Sequence, residues 1–191
     1  MQIKIIFSII SIILGFIAFF PYLKSVISRK TQPHSFTWLI WGITQGTATV
    51  GLWIGGGGVG ALSLTIGTLL VFVIFFMSLK NGEKNITKSD IVILIAALMA
   101  IAIWWFLNNP VLAVLLVSII DVLGYIPTFR KSYNKPYTED ALSWGLFTIT
   151  NVFSILALAN YNLLTLSYLV AVSSANVILL IFLLIRRKQL V

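Results

Sequence analysis

The chain has 191 residues, of which 59% are apolar and 9% charged, and its mean hydropathy is +1.04. A water-soluble domain carries about 25% charged residues, so an ordinary soluble globule is excluded, and the high apolar content excludes a disordered chain. With no cysteine, disulfide staples, thiol catalysis and Cys-ligated metals are excluded as well, and the net charge of +8 has no soluble basic face with which to bind nucleic acid. The composition describes a polytopic membrane protein.

A helix crossing a hydrocarbon core of about 30 Å needs roughly 20 apolar residues at a rise of 1.5 Å each. The first stretch that qualifies is 3–22. It is too long for a signal peptide and lacks an A-x-A-like cleavage site, so it is expected to remain in the protein. The second is 35–54, preceded by the only histidine, His34, at its mouth. Gly55–Gly58 then reads as a flexible hairpin, since no Gly-Lys-Ser/Thr follows to make a phosphate loop. The third span is 59–79, with Gly60, Ser63 and Gly67 offering a side for close helix packing. Next, Asn85-Ile86-Thr87 fits a glycosylation pattern but falls in a basic connection. Spans 89–107, 110–128, 141–160 and 163–185 complete the chain, with Glu139-Asp140 read as solvated loop residues. Trp53, Trp104 and Trp105 sit where interface anchors are expected. The apolar runs are continuous rather than alternating, which sets aside a β-barrel.

Orientation follows from the 13 Lys and Arg. The first, third and fifth connections and the C-terminus hold all of them except Lys4, as Lys24, Arg29, Lys30, then Lys80, Lys84, Lys88, then Arg130, Lys131, Lys135, and finally Arg186, Arg187, Lys188. The positive-inside rule then places the N-terminus outside and the C-terminus in the cytoplasm, which requires an odd number of spans. These basic residues also suit attraction to anionic lipid. A multi-pass cell-membrane protein is expected, with short loops and an Ile-, Lys- and Asn-rich composition suggesting a bacterial inner membrane.

A shift of 106 residues places Pro21 on Pro127, Lys24 on Arg130, Trp38 on Trp144, Trp41 on Phe147, Thr44 on Thr150 and Gln45 on Asn151. A proline at the inner end of a span, a basic loop and an aromatic-polar span recur in step. The chain therefore reads as an all-α membrane protein of seven transmembrane helices, in which two parallel three-helix bundles are joined by a linker helix. Residues 1–82 form the first repeat, 83–108 the linker loop and fourth helix, and 109–191 the second repeat with the basic C-terminus. Three helices, one, then three orient both triplets alike, so the copies are related by an axis along the membrane normal.

On these residues the chain resembles the SWEET sugar transporters and the wider PQ-loop superfamily, which includes cystine and cationic amino-acid exporters. The carriers of nicotinamide riboside have a related layout. The motifs are Phe20-Pro21-Tyr22, Arg29-Lys30-Thr31 and Ser35-Phe36 in one copy, and Ile126-Pro127-Thr128-Phe129, Lys135-Pro136 and Ser143-Trp144 in the other. The glutamine that follows the proline in PQ-loop proteins is Tyr22 or Thr128 here, and Pro33 falls on Glu139. The resemblance implies a transporter of a small polar solute, sugar-like or amino-acid- or vitamin-like, working by alternating access. A non-transporting seven-helix receptor or assembly factor of the same fold is the alternative.

Depth selects the site. Gln45 lies ten residues beyond Ser35 and Asn151 ten beyond Ala141, about 15 Å into the membrane. Trp38, Trp41 and Gln45 share a helical face, as do Trp144, Phe147 and Asn151. Asn176 and Thr68 lie at similar depth. Trp41, Gln45, Thr68, Phe147, Asn151 and Asn176 are the expected substrate-binding residues, with interhelical hydrogen bonding as the competing role. In the resembled family an Asn of the third helix of each repeat lines the site; Asn176 matches it and Leu70 stands at its counterpart. Asp121 is the one deep acidic residue, expected to couple protons or meet a substrate amine, or else to bond Tyr125 or a neighbouring Ser or Thr. Pro21 and Pro127 each act as a hinge or end their helix. A lone His is no metal site, and no Ser–His–Asp set, carboxylate pair or nucleotide fingerprint occurs. No enzyme activity, cofactor or metal is expected, and the partners are the solute and the bilayer, with a homo-oligomer left open.

Overall fold

The structure, a computed structural model, describes residues 2–83 and 85–190, together with the backbone but not the side chains of Trp105 and Leu107. Lys84 and the side chain of Trp105, assigned above to a basic connection and to the outer boundary, thus lie outside the described residues. The elements are α1 (Gln2–Ile27), α2 (Ser35–Ile54), α3 (Gly60–Asn81), α4 (Lys88–Leu107), α5 (Pro110–Leu123), α6 (Ile126–Asn134), a 3-10 turn (Pro136–Thr138), α7 (Ala141–Ala157) and α8 (Leu163–Gln189). Among the described residues there is no strand, only an isolated bridge between His34 and Glu83.

The starts of α4, α5, α7 and α8 are fixed by side-chain caps that take up the first free amides. Asn109 accepts from Leu112 N at 3.1 Å ahead of Pro110, and Asp140 accepts from Leu142 N at 3.1 Å. Thr87 with Asp90 and Asn162 with Thr165 form reciprocal capping boxes. Among the described residues, four segments are long and apolar enough to cross a membrane: 2–27, 60–81, 110–134 and 163–189. Large apolar side chains cover the outside, among them Ile9, Ile13 and Phe20 on α1, Val92 and Met99 on α4, and Ile178 and Ile181 on α8. An apolar surface of this extent belongs in lipid.

Several boundaries differ from those expected, among them α8, which runs to Gln189 rather than 185. α1 runs on past Pro21 to Ile27, so that proline does not end its helix. The span expected over 110–128 continues to Asn134 and is broken at Gly124–Tyr125, where Tyr125 N turns to Val122 O at 3.1 Å in a tighter 3-10 step. Pro127 has no N–H for the Leu123 carbonyl, which accounts for a local break. α7, expected as the sixth span over 141–160, stops at Ala157, because Leu158 turns extended (φ −58°, ψ 133°) and Ala159 N bonds Gly57 O at 3.0 Å.

The helices close into a ring. α1 packs on α3 and α7, α2 on α3 and α5, and α8 on α5 and α7, while α4 lies against α2 and α5. Exchanging α1 for α5, α2 for α7 and α3 for α8 carries each ring contact onto another. Hydroxyls stitch the ring together: Ser11 meets Ser63 at 2.6 Å and donates to Thr150 O at 2.8 Å, Thr49 meets Thr68 at 3.0 Å, and Ser154 donates to Gly60 O at 3.2 Å. Such small polar contacts hold helices together where apolar burial cannot.

At the end away from the basic connections the Gly55–Gly58 loop is tied down, not free as expected. Asn160 Nδ2 donates to Gly56 O at 3.1 Å and Asn162 Nδ2 to Gly55 O at 3.0 Å, with Gly56 at φ +73° and Gly58 at φ +60°. Gly60 sits so close to the end of α7 that a Cβ there would lie 2.8 Å from the Leu158 backbone. Backbone cannot swing aside, so Gly60→Ala is expected to lower stability by about 1–3 kcal/mol, read as a drop in Tm of the detergent-solubilised protein. An unchanged Tm would mean that α3 and α7 do not approach this closely.

Candidate functional site

A cavity of about 80 Å³ lies at the centre of the ring. Every ring helix lines it: Gly15 and Phe19 from α1, Trp41 and Gln45 from α2, Ser63 and Gly67 from α3, Asp121 from α5, Phe147 and Asn151 from α7, and Tyr168 and Asn176 from α8. Among the described residues α4 contributes none to the lining. The space suits a handful of waters or a small solute.

Asp121 is 1% exposed, and its Oδ1 accepts from the Thr44 hydroxyl of α2 and from the Tyr168 hydroxyl of α8, the latter at 2.9 Å. Trp41 Nε1 donates to the Asp121 carbonyl at 3.1 Å. Tyr125, weighed above as a partner of Asp121, instead donates to Asn176 Oδ1 at 2.6 Å. Two hydroxyls from two other helices therefore hold one carboxylate, and a third hydroxyl holds the neighbouring amide. Gln45 reaches the cavity because Gly67 faces it, and a Cβ there would lie 3.1 Å from Gln45 Nε2. Among the described residues the amide makes one hydrogen bond, a long one of 3.5 Å to Leu64 O.

Of the residues expected to bind solute, Trp41, Gln45, Phe147, Asn151 and Asn176 line this one cavity, together with Asp121. Thr68 does not. It is turned to Thr49 and to Leu64 O at 2.8 Å, so it joins α3 to α2. Pro21 and Pro127 stand outside the lining. Pro127 borders a separate cleft at the basic end with His34, Arg130 and Lys131.

Toward the basic end the cavity has an aromatic floor. Tyr22 packs on Trp38 with ring centres 5.1 Å apart, Trp41 on Tyr125 at 4.5 Å and on Trp144 at 5.6 Å, and Phe19 on Phe147 at 4.7 Å. Beneath it Glu139, 2% exposed, pairs with Lys131 and accepts from Trp144 Nε1 at 3.2 Å and Tyr22 OH at 3.4 Å. Lys131 also donates to Gln32 O at 2.5 Å, and Arg187 to the Glu139 carbonyl at 2.5 Å. Glu139 is thus no solvated loop residue, in contrast to its acidic neighbour Asp140, which caps α7. Pattern reading missed it because the sequence shows only a loop carboxylate. Its one signal is its place directly before the cap of an aromatic helix, eight residues after a lysine.

His34 is 1% exposed, with Nε2 3.1 Å from Asn85 O and 3.6 Å from Asp90, which Arg130 also holds at 3.0 Å. Burial lowers the pKa of its ring from the ordinary value. The Asn85 carbonyl and Asp90 oppose that shift, and Arg130 and Lys131 reinforce it.

The chain matches no protein-family model, no curated protein and no solved structure. The geometry of the site is therefore what speaks for its use.

Removing Lys131 leaves a buried carboxylate without its cation, a change that typically costs about 3–5 kcal/mol. Lys131→Met is expected to lower Tm strongly and the double change Lys131→Met, Glu139→Gln to recover part of the loss; equal Tm for both variants would show the pair to be solvated. For His34, the unfolded chain takes up a proton near pH 6.5 while the folded ring resists it, so stability is present above that pH and falls as the pH drops below it. A Tm series from pH 7 to 5 is expected to slope less for His34→Gln than for the parent protein, and an equal slope would place the loss elsewhere.

Proposed function

We propose that the chain is a seven-helix membrane carrier of a small polar solute, working by alternating access, with its binding site in the ring cavity. The observation that carries this reading is the convergence of Gln45, Asn151, Asn176 and Asp121, from four different helices, on one cavity between the two halves of the ring. Unpaired polar groups are costly at mid-membrane and tend to mark a pathway. Amides that both donate and accept, set beside aromatic faces, suit a solute bearing hydroxyl or amino groups and an apolar face.

The two-copy layout is part of the proposal. The exchange of ring contacts between copies supports a duplicated three-one-three plan, and binding at the interface of repeats is the usual solution in such carriers. The basic end is taken as cytoplasmic on the positive-inside rule. Under this reading the aromatic floor and the Lys131–Glu139 pair form the inner closure, and the break at Gly124–Tyr125 lets α6 move apart from α5. Resemblance to the SWEET and PQ-loop carriers points the same way. Asp121, held by hydroxyls with no cation beside it, is the group assigned to proton coupling.

The test is uptake by proteoliposomes carrying the purified chain, over D-glucose, L-lysine and nicotinamide riboside, with and without a pH gradient. Saturable uptake is expected for one of them, reduced at least tenfold by Asn176→Ala. The pH dependence is expected to vanish in Asp121→Asn, which keeps the side chain's shape and removes its titration. Uptake by empty vesicles at the same rate would sink the carrier reading, and unchanged pH dependence in Asp121→Asn would remove the coupling role alone.

A further inference from the structure

Asp121 uses only one of its two carboxylate oxygens. Oδ1 accepts from the Thr44 and Tyr168 hydroxyls, while Oδ2 accepts from no described residue. Nor is Oδ2 sealed off, as the unpartnered hydroxyl oxygens of Thr37 and Thr150 are, and Asp121 lines the cavity. Oδ2 therefore faces the open space. Its charge has no rival there: among the described residues the lining holds no Lys, Arg, His or Glu.

The opposite wall is of another kind. The 106-residue shift sets Asp121, Tyr125 and Asn176 on Gly15, Phe19 and Leu70, and all six line the cavity. Each polar position thus has an apolar counterpart. Ile12, Phe16 and Val71 extend the apolar side along α1 and α3. The one hydroxyl that those two helices bring to the lining, on Ser63, is engaged with Ser11 at 2.6 Å.

We propose that the cavity selects an amphipathic organic cation, one that bears an apolar group and neither carboxylate nor phosphate. The inference rests on the carrier reading and deepens it by naming the class of solute. The cationic group lies at Asp121 Oδ2, since a buried carboxylate without a cation is costly and the protein supplies none. The apolar group lies against α1 and α3, where a hydroxyl-rich solute would lose its hydrogen bonds. An acidic group on the solute would meet a carboxylate and no cation, so amino acids and phosphate esters are turned away. One oxygen cannot be neutralised by a proton and by the solute at once, so the two compete for it. The titratable groups facing Asp121 are Tyr168 of α8 and Tyr125, both engaged as hydroxyl donors. α2 has none, and the charged residues of α4 and α8, Lys88, Asp90, Arg186, Arg187 and Lys188, lie at the basic end.

The experiment measures binding of benzyltrimethylammonium to the detergent-solubilised full chain by calorimetry, and its uptake by proteoliposomes beside D-glucose and L-lysine. Binding is expected to weaken at least tenfold in Asp121→Asn. It is expected to weaken at least threefold in Leu70→Asn, which gives the apolar wall the residue of its counterpart. In the parent, affinity is expected to fall as the pH is lowered from 8 to 5, a readout that needs no variant to fold. Uptake of the cation is expected to saturate and to be driven by an acid vesicle interior, with L-lysine excluded by its carboxylate. Affinity independent of pH, or undiminished in Asp121→Asn, would overturn the inference. Uptake of D-glucose or L-lysine in preference to the cation would overturn it too and leave the carrier standing. Binding with the expected losses but no uptake of any solute would keep the cation site and sink the carrier reading. Absence of both binding and uptake of the cation would overturn the inference, and the carrier reading would then stand or fall on the solutes named for its own test.

Discussion

One carboxylate sets the terms for the middle of this molecule. In an apolar bundle Asp121 has no bulk water to solvate it, and an isolated charge there is costly. The fold meets this with hydroxyls from two helices other than its own, Thr44 on α2 and Tyr168 on α8. Satisfying one side chain therefore requires three helices to meet at one depth, and the position of α5 against α2 and α8 follows from it. The indole of Trp41 reinforces the same junction by bonding the Asp121 carbonyl. What would be a liability in a lone helix becomes the point about which half the ring is assembled.

The other half is built on the same helix exchange with different chemistry. Its junction of α1, α3 and α7 is held by Ser11, which bonds Ser63 and the Thr150 carbonyl. Neutral hydroxyls do there what a carboxylate does opposite. The same division recurs at the basic end, where the 106-residue shift sets Lys131 and Glu139 on Ser25 and Pro33. On the two-copy reading proposed above, buried charge is thus concentrated in one copy. On that reading a duplicated scaffold keeps the backbone contacts equivalent and leaves the cavity chemically two-sided, which a solute with unlike ends can exploit and an exact repeat could not offer.

Much of this was legible in the residues. Hydropathy finds the helices because a spanning segment must satisfy its own backbone, and the start of α2 at Ser35 and of α5 at Pro110 agree with the spans read from sequence. Counting depth along a helix places Gln45, Asn151 and Asn176 at the same level because the rise per residue is fixed. Direction around the helix is less secure. Thr68 has the right depth but turns to Thr49, because in α3 the side chain can be satisfied by the adjacent α2 without reaching the cavity. Tyr168 and Glu139 escaped notice for a related reason: a tyrosine in an apolar span and a glutamate in a loop look ordinary until a helix distant in sequence supplies the partner. Packing between remote segments is what pattern reading lacks.

The two ends of the cavity are closed by interactions of unequal strength, and this bears on how a carrier of this build would move. At the end away from the basic connections the loops are joined by amide and backbone bonds that are exposed to solvent, such as Asn160 to Gly56 and Asn162 to Gly55. Each such bond contributes about 0.5–1.5 kcal/mol net, because water replaces it when it opens. At the basic end the closure is an ion pair with both partners buried, backed by the three indoles and two tyrosines of the aromatic floor. Opening it exposes a carboxylate and an ammonium that water can resolvate, but only after the aromatic floor has separated. On the carrier reading the inner closure is then the harder one to release, and binding of solute against Trp41 and Phe147, which belong to that floor, is the event placed to release it. A ligand shifts such an equilibrium only by its differential affinity for the two states, and contact with the floor itself is how the solute would acquire one.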